Sequence, residues 1–445
     1  MAEHDTIVAS STGYGDAGIG IIRLSGSNCA NIAKSICKKN SFKERLATNS
    51  SFYSSDGVEF DSGLTIFFGM PKSYTGEDVV EFHCHGGQLV QKILLERCIE
   101  LGARPAHPGE FTKRAYLNGK IDLLQAENVQ NIIRASSLKA LTSANKALSG
   151  APSKTLRIVR EKLILLMSEI EAQIDFPEEG IDTLNNTSLL RNLEALRDEL
   201  KMFHRSMQKG HLIKNGLKLV ICGKPNVGKS TIFNALVGED AAIVTDLAGT
   251  TRDVIRGSLD VKGLNLQIAD TAGIRDAVSS VEKIGVARAR AEIAGADIIM
   301  YVTDSLKGLT DFGMDVMELP DKIKKIIVLN KIDRLNEPPL VEKLKSTVRV
   351  NISAKDEPEM NLLREAIEHL IGNFDVGGAL MASGRQVDAL TKGLEHIGIA
   401  TQKVFDIEIF AEEIRLAAKN LAEVTGDIPN EEILGEIFAN FCIGK

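Results

Sequence analysis

Gly223-Lys224-Pro225-Asn226-Val227-Gly228-Lys229-Ser230 is the stretch from which the rest of the chain can be read. It has the form G-x-x-x-x-G-K-[ST]. It follows the apolar run Leu217–Cys222 and precedes a helical pattern beginning at Thr231, the strand–loop–helix context that the motif needs. Glycines let backbone N–H groups surround phosphate oxygens, and the start of the following helix adds positive dipole. Lys229 is then placed to reach the outer phosphates of a nucleotide, and the Ser230 hydroxyl to coordinate Mg²⁺. The bland alternative is a glycine-rich turn without a ligand.

Four further elements downstream weigh against that alternative. Asp270-Thr271-Ala272-Gly273 follows the run Leu264–Ala269. A carboxylate there holds Mg²⁺ through water, and Gly273 presents an N–H to the γ-phosphate. Gly249-Thr250-Thr251-Arg252-Asp253 lies where a switch loop belongs, with Thr251 completing the Mg²⁺ shell. Asn330-Lys331-Ile332-Asp333 follows Ile326–Leu329, and its last carboxylate can accept two hydrogen bonds from a guanine edge. Ser353-Ala354-Lys355 supports the base from the other side. With Ala296–Thr303, these apolar runs alternate with helical stretches, which predicts a mainly parallel sheet with helices on both faces. Each motif alone is weak, but five in order make residues 215–375 resemble the Ras-like GTPase superfamily. The expected nucleotide contacts are Asn226 to Thr231, then Thr245, Asp246, Leu247, Ala248, Gly249, Thr250 and Thr251. Asp270, Thr271, Ala272, Gly273, Asn330, Lys331, Asp333, Ser353 and Ala354 complete them.

One departure concerns catalysis. Many small GTPases carry glutamine after the D-T-A-G element, and this chain has Ile274. Hydrolysis must recruit other groups. The candidates are Asn226, the loop Thr245–Thr250 and Glu282, with Arg252, Arg256 and Arg275 as alternative charge stabilisers.

The flanks differ in pattern. The first ~118 residues mix apolar β-type runs (Thr6–Ala9, Ile19–Leu24, Leu64–Phe68, Val79–Cys84) with a helix over Gln88–Leu101, predicting an α+β domain. Residues 119–214 are rich in Leu, Ala, Glu, Lys and Arg at helical spacing, predicting three or four long helices with a break at Asp175-Phe176-Pro177. Helical composition returns over 376–445. The expected organisation is therefore an N-terminal domain (1–118), a helical domain in two parts (119–214 and 376–445), and an α/β domain (215–375) inserted between them.

Composition limits the partners. Of 445 residues, 53 are basic and 60 acidic, a formal charge of −7, and no segment forms a basic arm. Any nucleic-acid contact must therefore use a local patch. No apolar run approaches the ~18 residues needed to span a bilayer, and the start M-A-E-H-D-T has neither signal- nor transit-peptide character. Cys29, Cys37, Cys84, Cys98, Cys222 and Cys442 form no C-x-x-C pair, so a reduced, cytoplasmic protein is expected. His83 and His85 share a strand face but cannot by themselves define a zinc site. Cys442 offers either a thiol nucleophile or a small apolar filler.

The flanking motifs carry a second, more specific resemblance. Thr75-Gly76-Glu77-Asp78-Val79-Val80-Glu81 leads to His85-Gly86-Gly87. Arg104-Pro105-Ala106-His107-Pro108-Gly109-Glu110-Phe111-Thr112-Lys113-Arg114-Ala115-Tyr116-Leu117-Asn118-Gly119-Lys120 follows, then Asp122-Leu123 and Gln125-Ala126-Glu127, and the chain closes on Phe441-Cys442-Ile443-Gly444-Lys445. With Asp5-Thr6-Ile7-Val8-Ala9, these resemble the MnmE/TrmE family of tRNA modification GTPases over essentially the full length. The resemblance implies a folate-binding-like N-terminal domain that mediates homodimerisation, and a discontinuous helical domain around a potassium-activated GTPase. It implies action with an FAD-dependent partner of the MnmG/GidA family at C5 of the wobble uridine of certain tRNAs, with a tetrahydrofolate derivative as one-carbon donor. Family folate contacts fall on Arg23, Glu81, Lys120 and Lys445. Arg23 and Lys120 would take the anionic part of the ligand and Glu81 the pterin edge. Potassium ligands fall on Asn226, Thr245, Leu247 and Thr250, and the water-orienting carboxylate on Glu282. A ribosome-assembly GTPase shares the phosphate loop, but would append an RNA-binding module that is not seen here. A scaffold with a vestigial site is disfavoured by intact Lys229, Ser230, Asp270 and Asp333.

Overall fold

A computed structural model describes residues 5–13, 15–135, 137–175, 186–238, 255–262, 264–270, 293, 295–305, 323–344, 347–372, 378–404, 406–428 and 431–444. The chain forms two compact units. One comprises residues 1–134, 144–205 and 382–445, and the other 135–143 and 206–381.

The first unit opens with a six-stranded sheet: β1 (Ile7–Ser10), β2 (Gly20–Ser25), β3 (Thr48–Tyr53), β4 (Glu59–Phe68), β5 (Val79–Cys84) and β6 (Arg104–Pro105). Their order is β3-β4-β5-β2-β1-β6, and every pair is antiparallel except β1 with β6. Alternation sorts the side chains between the two faces. Ile22 and Leu24 of β2 and Val80 and Phe82 of β5 join the core with Ile32, Ile36, Leu94 and Cys98 of the helices Cys29–Cys37 and Gln88–Glu100. The intervening residues, Arg23 and Glu81 among them, face the other way, and Arg23 stands directly opposite Glu81 in the β2–β5 register. Gly86 lets the chain enter the second helix, because a Cβ there would lie 2.3 Å from the Ala17 carbonyl oxygen.

Beyond it lie helices Glu110–Leu117, Leu123–Ile133, Leu138–Leu148, Ala151–Asp175 and Asn186–Asn215. Of the expected break Asp175-Phe176-Pro177, Phe176 and Pro177 lie outside the described residues. Asp122 caps Leu123–Ile133 in a capping box, accepting from the Gln125 N–H while the Gln125 side chain accepts from the Asp122 N–H. From the far end of the sequence, Ile407–Thr425 packs on both Ala151–Asp175 and Leu123–Ile133, and Gly384–Gln402 packs on Ile407–Thr425. Leu434, Phe438 and Phe441 form one buried cluster with Leu123 and Ala126. Helices from both sides of the insertion thus share one core.

The second unit carries a seven-stranded sheet of β7 (Leu217–Cys222), β8 (Ile255–Val261), β9 (Leu264–Asp270), β10 (Ile298–Asp304), β11 (Lys324–Asn330), β12 (Leu340–Leu344) and β13 (Thr347–Ile352). The order is β12-β13-β11-β10-β7-β9-β8, with all pairs parallel except β12–β13 and β8–β9 at the edges. All seven residues of β10 are buried, as a central parallel strand requires.

Apolar patterning does not announce β3, β6, β8 and β12 or the helices Cys29–Cys37 and Glu110–Leu117, and it starts β4 five residues late. The four strands lie at sheet edges, and their polar residues (Thr-Asn-Ser-Ser in β3, Glu-Lys in β12) hide the apolar alternation.

Candidate functional site

The phosphate loop leaves β7 and turns into the helix Lys229–Val237. Three residues adopt left-handed backbone: Gly223 (φ 141°), Asn226 (φ 61°) and Gly228 (φ 100°). Two of them are also sterically required to lack a side chain. A Cβ at Gly223 would lie 2.1 Å from the Val302 carbonyl oxygen, and one at Gly228 2.2 Å from Asn330 Nδ2. The loop is therefore wrapped tightly on β10 and β11. Gly228 is the N-cap of the helix, so the first-turn N–H groups of Lys229, Ser230 and Thr231 point out of it, a ready anion site. Ser230 and Thr231 are exposed there.

Lys229 is only 7% exposed. Its Nζ donates to the carbonyls of Gly223 (3.0 Å) and Lys224 (2.8 Å), folding the cation over the loop. Both acceptors are neutral and belong to the phosphate-binding turn itself.

Asn330 joins three loops. At 3% exposure, its Nδ2 donates to the Val227 carbonyl (2.8 Å), and its Oδ1 accepts from the N–H groups of Lys331 (2.8 Å) and Ala354 (2.9 Å). One amide thus ties the phosphate loop, the N-K-I-D turn and the S-A-K turn together. Lys331, in left-handed conformation (φ 68°), sends Nζ to the Asn226 carbonyl (2.6 Å) and to Asp304 Oδ2 (2.7 Å). Asp333 lies in the short 3₁₀ turn Ile332–Arg334 and is exposed, whereas Ser353 and Ala354 are buried. Ser353 N–H donates to the Glu359 carboxylate.

Sequence reasoning missed Asp304. It is 8% exposed and sits at the last position of β10, and Ser305 Oγ beside it donates to the Lys331 carbonyl (2.9 Å). The signal was present as Thr303-Asp304-Ser305, three polar residues at the end of the most apolar strand.

Asp270 ends β9, opposite Ile221 in register. Thr245, Asp246, Leu247, Ala248, Gly249, Thr250, Thr251, Thr271, Ala272, Gly273, Glu282 and Lys445 lie outside the described residues, as do the side chains of Asp270 and Arg256.

A second constellation sits on the N-terminal sheet. Arg23 Nε and Nη2 both reach Glu81 Oε1 (2.9 and 2.8 Å), and His83 Nε2 lies 3.4 Å from Glu81 Oε2. The Arg23 guanidinium lies 5.8 Å from the centroids of both the Tyr74 and Phe111 rings. Lys120 Nζ donates to the Pro71 carbonyl (2.8 Å), and its stem lies beside Gly76. Arg23 and Lys120 thus touch the same loop, Pro71–Gly76, but not each other.

A network of ion pairs supports that loop. Arg114 donates to Asp5 Oδ1 (2.6 Å), Glu77 Oε2 (3.0 Å) and Glu110 Oε1 (3.1 Å), and Arg104 to Asp5 and both oxygens of Glu110. Glu77 also accepts from Ser25 Oγ (2.7 Å). Burial alone would push the Glu110 carboxyl up. The hydrogen bonds from Arg104, the His107 N–H and Arg114 overcome that and bring it down to about 2. Burial pushes the Cys29 and Cys84 thiols up, to about 12 and 11, which leaves them unreactive core groups. Cys442 is exposed, and its carbonyl accepts from the Gly109 N–H. Beyond it Gly444 (φ 94°) rests against β1, where a Cβ would lie 2.1 Å from the Ser10 oxygen, and its carbonyl accepts from Ser11 Oγ (3.0 Å).

These two constellations lie in regions with known relatives. A family model described as the GTP-binding protein TrmE N-terminus matches residues 6–120, and one described as the MnmE helical domain matches residues 123–442. The tRNA modification GTPase MnmE of Chromobacterium violaceum is 41% identical over 442 residues, covering 99% of this chain and 98% of that protein. The protein of the same name from Vibrio cholerae is 41% identical over 451 residues, covering 99% of each. Among solved structures, the G domain of the Thermotoga maritima FeoB iron transporter is 25% identical over 35% of this chain and 98% of its own, with a TM-score of 0.27. Full-length identity and two family models that together run from residue 6 to 442 lead to one conclusion: the chain belongs to the tRNA modification GTPase MnmE family and is a GTP-hydrolysing enzyme.

Proposed function

We propose that GTP turnover in the second unit drives modification of C5 of the wobble uridine in certain tRNAs, together with an FAD-dependent partner protein of the MnmG/GidA family. The observation that carries the nucleotide half is the Asn330 hub, which holds the phosphate loop, the N-K-I-D turn and the S-A-K turn as one surface. In this reading Lys229 and the N–H groups of residues 226–231 bind the phosphates. Asp333 selects guanine, and Ser353 and Ala354 back the base. A site that reads the guanine N1 and N2 donors rejects bases that lack them.

Mg²⁺ is assigned to Ser230 and Thr251, with Asp270 acting through water. The exposed Ser230 in a first helical turn beside the anion site fits it, and the ion neutralises phosphate charge when bound. Potassium is assigned to Asn226 and the carbonyl-bearing loop at Thr245, Leu247 and Thr250. Asn226 is exposed and lies in the phosphate loop, which supports the assignment. Glu282 orients the attacking water in place of the absent glutamine. Hydrolysis is expected to run faster in K⁺ than in Na⁺ at equal ionic strength.

The N-terminal sheet is assigned to a tetrahydrofolate derivative, the one-carbon donor. A cation and a carboxylate flanked by two rings suit a flat heterocycle with a polar edge. Glu81 is assigned to the pterin edge, with Arg23 bonded to it. Arg23 and Lys120 are assigned to the anionic part, with Lys445 as a further contact. The arrangement is proposed to operate in the cytoplasm in a homodimer formed through this domain. Cys442 keeps its two readings, thiol or filler. No helix among the described residues is long and apolar enough to cross a membrane.

The deciding experiment is mass spectrometry of tRNA nucleosides from a strain lacking the gene, with and without complementation. Loss of C5-modified wobble uridine, restored by the unaltered chain and not by Lys229→Ala, is the expected result. Unchanged nucleosides in the deletion strain overturn the proposal.

A further inference from the structure

We infer that the edge of the N-terminal sheet at β3, with the loop that leads into it, is a contact surface for the tRNA phosphate backbone. The inference rests on the tRNA reading above and adds where on this chain the RNA lies.

The chain as a whole is acidic, so an RNA approaching it at random is repelled. One stretch departs from that sign. Residues 34–45, Lys-Ser-Ile-Cys-Lys-Lys-Asn-Ser-Phe-Lys-Glu-Arg, carry five cations (Lys34, Lys38, Lys39, Lys43 and Arg45) against Glu44. The fold adds Lys72 to the same edge, because Arg45 Nη2 bonds the Lys72 carbonyl. Glu44, Asp56, Glu59, Asp61 and Asp78 lie in the same region, but Asp61 is bonded to His85 and Asp78 to the Met70 N–H, so six cations stand among five carboxylates, two of them already engaged, in an otherwise negative protein.

How the cations are held matters as much as their number. Lys38 Nζ donates to the Gly57 carbonyl (3.2 Å) and lies 4.0 Å from the Tyr53 ring centroid. Lys39 Nζ donates to the Asn49 carbonyl (2.5 Å). Arg45 lies 5.6 Å from the Phe68 ring centroid, and its contact with Glu44 is a loose 3.8 Å. For these three, neutral carbonyls and ring faces are the main acceptors, so the side chains are steadied while their charge is largely not cancelled. Such pre-ordering lowers the side-chain entropy lost on binding.

The anchors also space the charges. Lys39 sits at Asn49 near the start of β3, Lys38 at Tyr53 at its end, and Arg45 beyond the start, where Phe68 ends β4. The six residues of β3 extend roughly 20 Å at ~3.3 Å each. That row matches successive phosphates of a nucleic-acid strand rather than a single anion. Lysines at a sheet edge also deter strand pairing, a role that would not make the row's charge count in tRNA binding. RNA helices are read by phosphate and 2′-hydroxyl contact more than by base edges, so a row of steadied, uncancelled cations suits the ligand.

The test titrates the full chain with purified tRNA between 50 and 200 mM salt, comparing the unaltered protein with Lys38→Gln/Lys39→Gln/Lys43→Gln. GTP hydrolysis serves as the control for folding, since none of these residues belongs to the nucleotide site. Each lost phosphate contact should reduce the slope of log K against log salt by ~0.7–0.9. The triple variant should therefore lose about two units of slope and about tenfold or more in affinity at low salt, with unchanged GTP turnover. A second variant, Lys38→Arg/Lys39→Arg/Lys43→Arg, should bind as the unaltered protein does. If the unaltered chain binds tRNA and the glutamine variant matches it in slope and affinity, the patch is refuted while the tRNA reading stands. If the unaltered chain shows no salt-dependent tRNA binding, both fall. Loss of binding to phosphatidylserine vesicles but not to tRNA would make the surface a membrane contact and overturn the inference.

Discussion

The two sheets place their functional groups in opposite ways. In the second unit five groups around the candidate site, all among the described residues, sit at or just beyond the carboxyl end of a strand in the parallel part of the sheet: Gly223 after β7, Asp270 at the end of β9, Asp304 at the end of β10, Asn330 at the end of β11, and Ser353 after β13. In the first unit the assigned pair lies within strands, with Arg23 inside β2 directly across from Glu81 inside β5. A parallel sheet is covered on both faces, so polar groups find room only where the strands stop. An antiparallel sheet packed on one side by helices leaves its other face for polar chemistry. Strand-end sites depend on loop geometry, and face sites depend on register. Damage to the two should therefore look different.

The largest effect is expected from Gly228→Val. Its Cβ would meet Asn330 Nδ2 at 2.2 Å in a backbone (φ 100°) that β-branched residues avoid. Strain and lost hydrogen bonds of about 3–4 kcal/mol should weaken nucleotide binding about 100- to 1000-fold. Titration with a fluorescent GDP analogue checks this, and 5-formyltetrahydrofolate binding should be unaffected. Coupled loss of both ligands would break the distinction between the two sheets.

Glu110→Gln probes the first unit alone. The folded-state pKa of Glu110, about 2, lies below the ordinary 4.5. Its stabilisation is therefore present above pH ~4.5 and is lost as pH falls toward 2, amounting to about 3 kcal/mol at most. The unaltered protein should lose stability in the first unit steeply over that window, and the variant should start lower and fall less. Acid unfolding followed by hydrogen exchange on residues 5–120 reads the difference. Identical profiles would show that the Arg104–Glu110–Arg114 network contributes nothing net.

Asn330→Ala removes three hydrogen bonds from a buried hub. It should cost the second unit about 2–3 kcal/mol in a thermal melt, with a larger loss in nucleotide affinity than in melting temperature. A loss confined to stability would reduce Asn330 to a packing role.

The smallest effect on stability, about 1 kcal/mol, is expected for Arg23→Ala, because the pair is partly exposed. The same change should cost about tenfold in folate affinity by calorimetry and leave GTP turnover unchanged. Full folate affinity in Arg23→Ala would remove the face site.

This contrast also explains what is legible in the sequence. Strand-end motifs are contiguous, so the order of residues alone places the phosphate loop, N-K-I-D and S-A-K on their strands. The apolar runs that carry them are central strands, which announce themselves. The face site is assembled from register, and Arg23 and Glu81 are 58 residues apart with no local signal that they touch. Family resemblance named both as folate contacts, but not that they pair. Asp304 was missed because its role depends on a lysine 27 residues later.

Tyr116 Oη donates to the Gly426 carbonyl (2.6 Å) across 310 residues of sequence, one of the links that join helical segments from either side of the inserted unit. Closing a loop of that length costs entropy before any contact in the helical core repays it, and such long-range closure is slow. The inserted sheet pairs strands separated by far fewer residues and needs no such closure. Once folded, the stretch 206–381 belongs to a compact unit in place of free chain, shortening the effective loop that Tyr116 and Gly426 must close. Topology therefore predicts an order of folding: the inserted unit first, the shared helical core after it. A lesion that slows folding of the inserted sheet should delay burial of Tyr116, even though none of its residues touches that hydrogen bond.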